Sequence, residues 1–394
     1  MKKTLCWVIL ALAGGLGWIA PAWGAQPEQT GTQNGPHASG FTLLASRNFS
    51  QLEQIASALQ RDYESGLMTG DNYLDALGNF LPQEQHLSPV WQGHVEEWVK
   101  LYPMSYAAQH TLGKFYFSYG WLLRGNEYAK NTTQKQFDDL ARNLGAAEKH
   151  LLNATTLIAR PFPSYCLLIR VARGLSNSKT NDYFVAAEKA DPSSYWSKRE
   201  FLIGISPKWG GSFEAMDEFM IAARKKPMRP EGLAILERDA LFLKAETWQN
   251  MERYREAATL YRKAYHARPV PASLSILVEA ADIAKKGGLT DLSIEIYGEV
   301  IRIDPQNTAS RNQRGHLLET EKKDLAAAKA DYLASAEAGN HWAQNRIGWW
   351  YMTGTGGEKN FDLAKKYFTQ ALENGNKNAG PNLEQLARLR KTHR

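Results

Sequence analysis

From Phe41 onward, apolar residues recur every three or four positions, and no stretch alternates apolar and polar with period two. That spacing lines the apolar side chains along one face of an α-helix, so the chain reads as all-α with no substantial sheet. Ser50-Gln51-Leu52-Glu53 has the form of a capping box and opens a helix carrying Leu52, Ile55, Leu59 and Tyr63 on its inner face. Gly70-Asp71 starts a second through Tyr73, Leu74 and Leu77. Ser88-Pro89 starts a third, which turns Trp91, Val95 and Trp98 inward until Pro103 stops it. An aromatic-rich helix is expected over 106–123 and another over 133–159. Four shorter ones follow near 163–175, 181–190, 193–205 and 212–226.

The most regular pattern lies between Tyr254 and Gly375. Tyr261, Tyr297, Tyr332 and Phe368 follow one another at 36, 35 and 36 residues. Four residues before each ring stands a small residue (Ala257, Ser293, Ala328, Ala364), and three after it another compact one (Ala264, Val300, Ser335, Ala371). Pro269, Pro305, Gly339 and Gly375 then break each helix. Small, large and small side chains on one stripe let a neighbouring helix come close while the ring fills the gap between. A period of this length marks stacked helical hairpins, which bury their apolar faces only against one another.

Tyr254 to Tyr261, closed by Pro269, resembles the second helix of a tetratricopeptide repeat. The stretch from His341 resembles its longer relative, the Sel1-like repeat: Ala343, Ile347, Gly348 and Tyr351 line a first helix, Gly354-Thr355-Gly356 turns, and Leu363, Ala364 and Phe368 line the second. Gly315, Leu318, Ala328 and Tyr332 repeat that pattern one hairpin earlier. Both resemblances imply an α-solenoid, here over 229–377. Leu383, Leu386 and Leu389, with basic residues near the helix end, make 378–394 the expected capping helix. An irregular helical domain over 41–228 precedes the repeats, with the seam near Lys226–Glu231. Phe184, Ala187 and Pro192 keep the repeat spacing, so a degenerate hairpin is expected there too.

Residues 1–24 read as a cleaved secretory signal: Lys2 and Lys3, the apolar run Leu5 to Ala20, and Ala22-Trp23-Gly24 as a small-x-small site with cleavage after Gly24. An uncleaved anchor is the alternative, although the run is short for a span. A bacterial periplasmic or secreted location follows, with no membrane span after cleavage. Residues 25–40 hold no large aliphatic or aromatic side chain and read as a disordered leader. Loss of the two lysines lowers the net charge from +6 to +4, a surplus too mild to imply nucleic acid. One cysteine remains, Cys166, within the apolar run Tyr165 to Val171, so no disulfide framework forms and the thiol is expected buried and inert.

Four features of the N-terminal half are shared with a known family: Phe49 to Leu81; Trp98 followed by Pro103-Met104-Ser105; Tyr119 to Gly125; and Pro207-Lys208-Trp209-Gly210-Gly211-Ser212. Together they resemble an uncharacterised family, the 4034-type domain of unknown function, whose members join such a domain to tetratricopeptide-like helices. The resemblance spans roughly 41–300, implies a helical fold and brings no activity with it.

Trp209 to Ser212 reads first as a tight inter-helix turn, with Gly210 and Gly211 permitting positive φ, Ser212 capping the next helix and Trp209 covering the joint. Its functional reading makes Trp209, Gly210 and Gly211 a platform for a peptide or sugar. Arg124-Gly125 reads as a helix C-terminus, with anion binding by Arg124 as the functional alternative. Gly354 to Gly357 lacks the preceding strand and following Lys of a phosphate loop. His94 and Glu97, near His86 and His110, lack the further ligands a metal site needs. No catalytic motif stands out, and neither cofactor nor metal is expected.

The repeat register places Glu246, Gln249, Asp282, Lys285, Asn312, His316, Glu319, Asn345, Trp349 and Met352 on the concave sides of the first helices. Polar residues interrupted by Trp349 and Met352 suit an extended peptide or a partner helix. The regular Lys and Asn set of a carboxylate clamp is missing. The expectation is a non-catalytic protein- or peptide-binding protein of unknown partner. An envelope enzyme with a pocket near Trp209 and Arg124, and a structural adaptor of an envelope complex, are the alternatives.

Overall fold

Every regular element among the described residues is helical. The computed structural model describes residues 39–127, 129–267 and 272–392, and they divide into two compact units, residues 39–243 and residues 244–267 with 272–392. The expected signal, most of the leader and Pro269 lie outside the described residues. Among the described residues, no helix is long and apolar enough to cross a membrane.

The first unit holds α1 (Gly40–Ala45), α2 (Phe49–Glu64), α3 (Gly70–Gly78), α4 (Pro89–Leu101), α5 (Tyr106–Arg124), α6 (Gln134–Ala154), α7 (Phe162–Gly174), α8 (Thr180–Ala190), α9 (Tyr195–Gly204) and α10 (Phe213–Ala223), with single 3₁₀ turns at Glu84–His86 and Pro207–Trp209. Helix α11 (Pro230–Asn250) begins in it. Side-chain caps set most helix starts: Thr69, Ser105 and Thr133 each accept from a backbone N–H of the first turn. The start of α2 differs from the expected box, because the Asn48 carboxamide takes the Gln51 N–H and leaves Ser50 inside the first turn. Helix α6 stops at Ala154, short of the expected 159, where the Thr155 and Thr156 hydroxyls bond the Leu152 and Asn153 carbonyls. Two aspartates hold helix starts far away in sequence: Asp191 accepts from Gly70 N at 3.1 Å, and Asp71 from Ser194 Oγ at 2.6 Å and Tyr195 N at 3.1 Å. These contacts pin α3 to α9 at their positive ends.

The core between these helices is aromatic. Trp98, Tyr106, Phe115 and Phe162 are fully enclosed, and Tyr63, Tyr73, Tyr106 and His110 stack in series at centroid distances of 4.9, 6.0 and 5.8 Å. Phe184, in the expected degenerate hairpin, stacks on Phe201 at 4.1 Å while Ala187 is fully buried.

The second unit continues from the end of α11 into α12 (Tyr254–His266), α13 (Leu274–Lys286), α14 (Thr290–Ile303), α15 (Thr308–Thr320), α16 (Leu325–Glu337), α17 (His341–Thr353), α18 (Phe361–Glu373) and α19 (Ala379–Thr392). From α12 on, each helix packs on the next in chain order, as stacked hairpins require. All four repeat rings are buried, and all eight flanking small residues are fully enclosed. Two of those residues also tie hairpins internally: Ser293 Oγ donates to Ala281 O and Ser335 Oγ to Thr308 O, both at 2.9 Å. In the last two hairpins the ring lies on a glycine of the first helix. A Cβ at Gly348 would sit 2.7 Å from the Phe368 ring.

Candidate functional site

Three of the polar residues expected on the first helices turn out to be partners of the repeat tyrosines. Tyr261 Oη donates to Gln249 Oε1 at 3.2 Å, Tyr297 Oη to Asp282 Oδ1, and Tyr332 Oη to Glu319 Oε2 at 3.0 Å. Burying a ring leaves its hydroxyl needing an acceptor, and each hairpin supplies one from its own first helix. Burial pushes all three phenols above their ordinary range, and carboxylates nearby push them further. The fourth hairpin drops both halves of the pair: Phe368 carries no hydroxyl, and Met352 stands enclosed in the core beside it. Met352 therefore offers no contact surface, contrary to the register-based expectation, because its helix turn faces the ring and the cap.

Members of the expected set also cross-link adjacent first helices and the cap. Lys285 Nζ donates to Gln313 Oε1 at 2.8 Å, joining α13 to α15. Glu319 is buried and receives Arg346 Nε at 2.9 Å, the Arg346 guanidinium Nη2 and Trp350 Nε1 at 3.1 Å, joining α15 to α17. Asn382 Nδ2 donates to Asn345 Oδ1 at 2.9 Å, joining the cap α19 to α17. Glu246 lies half-buried, its charge raising the Tyr261 phenol.

Asn312 is half-buried and His316 exposed, one turn apart on α15. Trp349 is half-buried with the Arg346 guanidinium 5.0 Å above its ring. Seven residues earlier on α17, Trp342 is 55% exposed, a residue the repeat register passed over. Its only sequence signal is the i, i+7 spacing to Trp349.

Of the N-terminal candidates, Arg124 and Trp209 are half-buried and engaged by the fold, while Gly210 and Gly211 stand exposed in their turn. The Arg124 guanidinium donates to Gly125 O at 3.0 Å, and Gly125 has φ +74° as the helix C-terminus requires. At Trp209–Ser212 the turn reading holds: Gly210 has φ +89°, and Ser212 Oγ accepts from Ala215 N at 3.1 Å. Gly211 passes so close to the preceding loop that a Cβ would meet Ile205 O at 1.9 Å. The Arg173 guanidinium, its side chain mostly covered, lies 5.4 Å over the Trp209 ring. Neither clashing backbone can move freely, so Gly211→Ala is expected to cost about 2 kcal/mol by chemical denaturation. Gly210→Ala, with open space around it, is expected to cost only about 1 kcal/mol from its φ.

Ser164 and His110 pair at 3.0 Å but are fully buried, and burial lowers the imidazole to about 3, so the pair is neutral and closed to substrate. Cys166 is buried and its thiol pushed up by that burial. Among the described residues, no three His, Cys, Asp or Glu side chains gather as metal ligands.

No curated protein matches the sequence. Similar solved structures include a protective antigen of uropathogenic Escherichia coli displaying an SLR fold (13% identity, 87% of this chain and 83% of that chain, TM-score 0.31). The yeast Tom70 aligns at 11% identity over 89% and 80% of the two chains, with a TM-score of 0.31. A Sel1 repeat protein from Oxalobacter formigenes aligns at 18% identity over 90% and 95%, with a TM-score of 0.27. The family match is confined to the N-terminal part, shorter than the roughly 41–300 expected, and it leaves the Trp209 turn outside. Residues 41–201 match the family described as Domain of unknown function (DUF4034).

Proposed function

We propose that this is a secreted, periplasmic protein without catalytic activity that binds another protein or a peptide along the first-helix side of its C-terminal hairpins. The observation carrying this reading is the stripe on α17, where exposed Trp342 and half-buried Trp349 flank Arg346 at helical spacing. Aromatic and arginine side chains are the residue types that dominate binding energy at protein interfaces. The wall around them is held rigid by the Lys285–Gln313, Arg346–Glu319 and Asn345–Asn382 links, so little ordering cost is left for binding. Export rests on Lys2, Lys3 and the apolar run to Ala20.

A photo-crosslinking residue placed at His316 or Trp342 in living cells is the test. The expected result is one discrete adduct common to both positions, diminished by Trp349→Ala and missing from a control at exposed Leu67. Adducts at Leu67 alone, or none at either repeat position, would overturn the proposal.

A further inference from the structure

A cavity of about 260 Å³ opens in the first unit between the 3₁₀ turn Glu84–His86, the end of α5 and α7. Phe117 and Ser118 form its buried floor, Trp121 and Leu122 an apolar wall, and Glu84 and Arg170 face it with opposite charge. The two charges are engaged elsewhere and not with each other. Glu84 Oε1 accepts from Ser118 Oγ at 2.9 Å, and its charge is felt by the Lys114 ammonium, whose own hydrogen bond goes to Gly78 O at 2.8 Å. Arg170 reaches Glu200 at 3.9 Å, through Nε, with its guanidinium 4.6 Å over the Phe117 ring.

Glu200 has little to give Arg170. It already takes Arg173 at 2.8 Å and Arg199 at 3.0 Å, so three guanidiniums share one carboxylate, and Arg199 alone gains a second in Asp239 at 3.1 Å. The surplus positive charge falls on the outermost member, Arg170, whose side chain is 29% exposed at the cavity. A ligand completing this arrangement brings an anion to Arg170, a cation to Glu84 and a short apolar body over Phe117, Trp121 and Leu122. The volume lies below the roughly 300–1,000 Å³ of drug-sized sites, which restricts it to a single small molecule.

We propose that this cavity binds a small zwitterion, a free α-amino acid with a small or branched apolar side chain. Arg170 clamps the carboxylate, Glu84 holds the ammonium, and Phe117, Trp121 and Leu122 cover the side chain. The site lies within the first unit, and its assignment does not rest on what the helical-repeat face binds.

Calorimetric titration of the full chain with glycine, L-alanine and L-leucine, and with N-acetyl-L-leucine and L-leucinamide, tests it. Saturable one-to-one binding of at least one free amino acid is expected, with the blocked derivatives weaker by about tenfold or more. Glu84→Gln is expected to weaken the amino acid about tenfold and leave N-acetyl-L-leucine unchanged. Leu122→Trp, on the exposed rim, is expected to abolish binding; it serves alongside Arg170→Gln, which also touches the core. Three results would each overturn the assignment: no saturable binding by any free amino acid, binding indifferent to both Glu84→Gln and Leu122→Trp, or N-acetyl-L-leucine binding as tightly as leucine.

Discussion

Replacing Glu319 with alanine is expected to destabilise the C-terminal hairpins by about 3 kcal/mol. The carboxylate is buried and serves Tyr332 Oη, Arg346 and Trp350 Nε1 together. Its loss strands a buried hydroxyl and a buried indole N–H, each costing about 1–3 kcal/mol, while Arg346, partly open to water, regains some hydration. That partial escape keeps the estimate at the low end of the range for broken buried ion pairs. In a unit of this size the change corresponds to a melting transition lowered by roughly 6–12 °C. Because Glu319 sits on α15 and its donors Arg346 and Trp350 on α17, the loss falls on one interface between hairpins. In a stack stabilised by nearest neighbours, amide exchange in α17, α18 and α19 is expected to rise before that in α13 and α14. Removing the charged partner too, as in Glu319→Leu with Arg346→Leu, is expected to restore part of the stability. A uniform rise in exchange across the unit would contradict the interface role.

How far the fold could be read in advance follows from what repeats. The rings Tyr261, Tyr297, Tyr332 and Phe368 and their small neighbours are buried as the period requires, because a stacked hairpin offers each ring only one place to go. The Trp209–Ser212 turn was legible as well, since Gly-Gly before a capping Ser is local chemistry. The hydroxyls of the same rings were not: nothing in helical spacing says that Gln249, Asp282 and Glu319, 12, 15 and 13 residues upstream, serve as their acceptors. Those residues look like a polar groove on a helical wheel, and only the closed hairpin spends them internally. Met352 misleads in the opposite sense, since a large flexible side chain at a groove position reads as an anchor until Phe368 removes the need for a polar partner. In the first unit, contacts such as Asp71 with Ser194 and Arg173 with Glu200 span 123 and 27 residues with no period to announce them. The cavity between Glu84 and Arg170 belongs to that same class. Its residues come from three elements and form no motif in the chain.

Glu200→Gln is expected to be the most damaging single substitution in the first unit, at about 4–5 kcal/mol. Glu200 is enclosed, and burial alone would raise its carboxyl. Arg173, Arg170 and Arg199 outweigh that and hold it at about 2. Removing the charge leaves Arg173 without a counter-ion, and with a side chain only 13% exposed, against 38% for Arg346, it regains less hydration. Arg173 also lies over Trp209, so the turn held by Gly211 loosens with it, and tryptophan fluorescence should report the change. The acid dependence separates a charged role from a merely shape-filling one. A carboxyl depressed in the folded state contributes stability that is fully present above its unfolded value near 4.5 and is lost as pH falls toward about 2. Across that window the wild-type protein should lose up to about 1.4 kcal/mol per pH unit from this one group. Glu200→Gln, already weaker at neutral pH, should show a shallower slope by that amount. Parallel slopes for the two proteins between pH values near 4.5 and 2 would mean that the three arginines do not depend on the charge of Glu200.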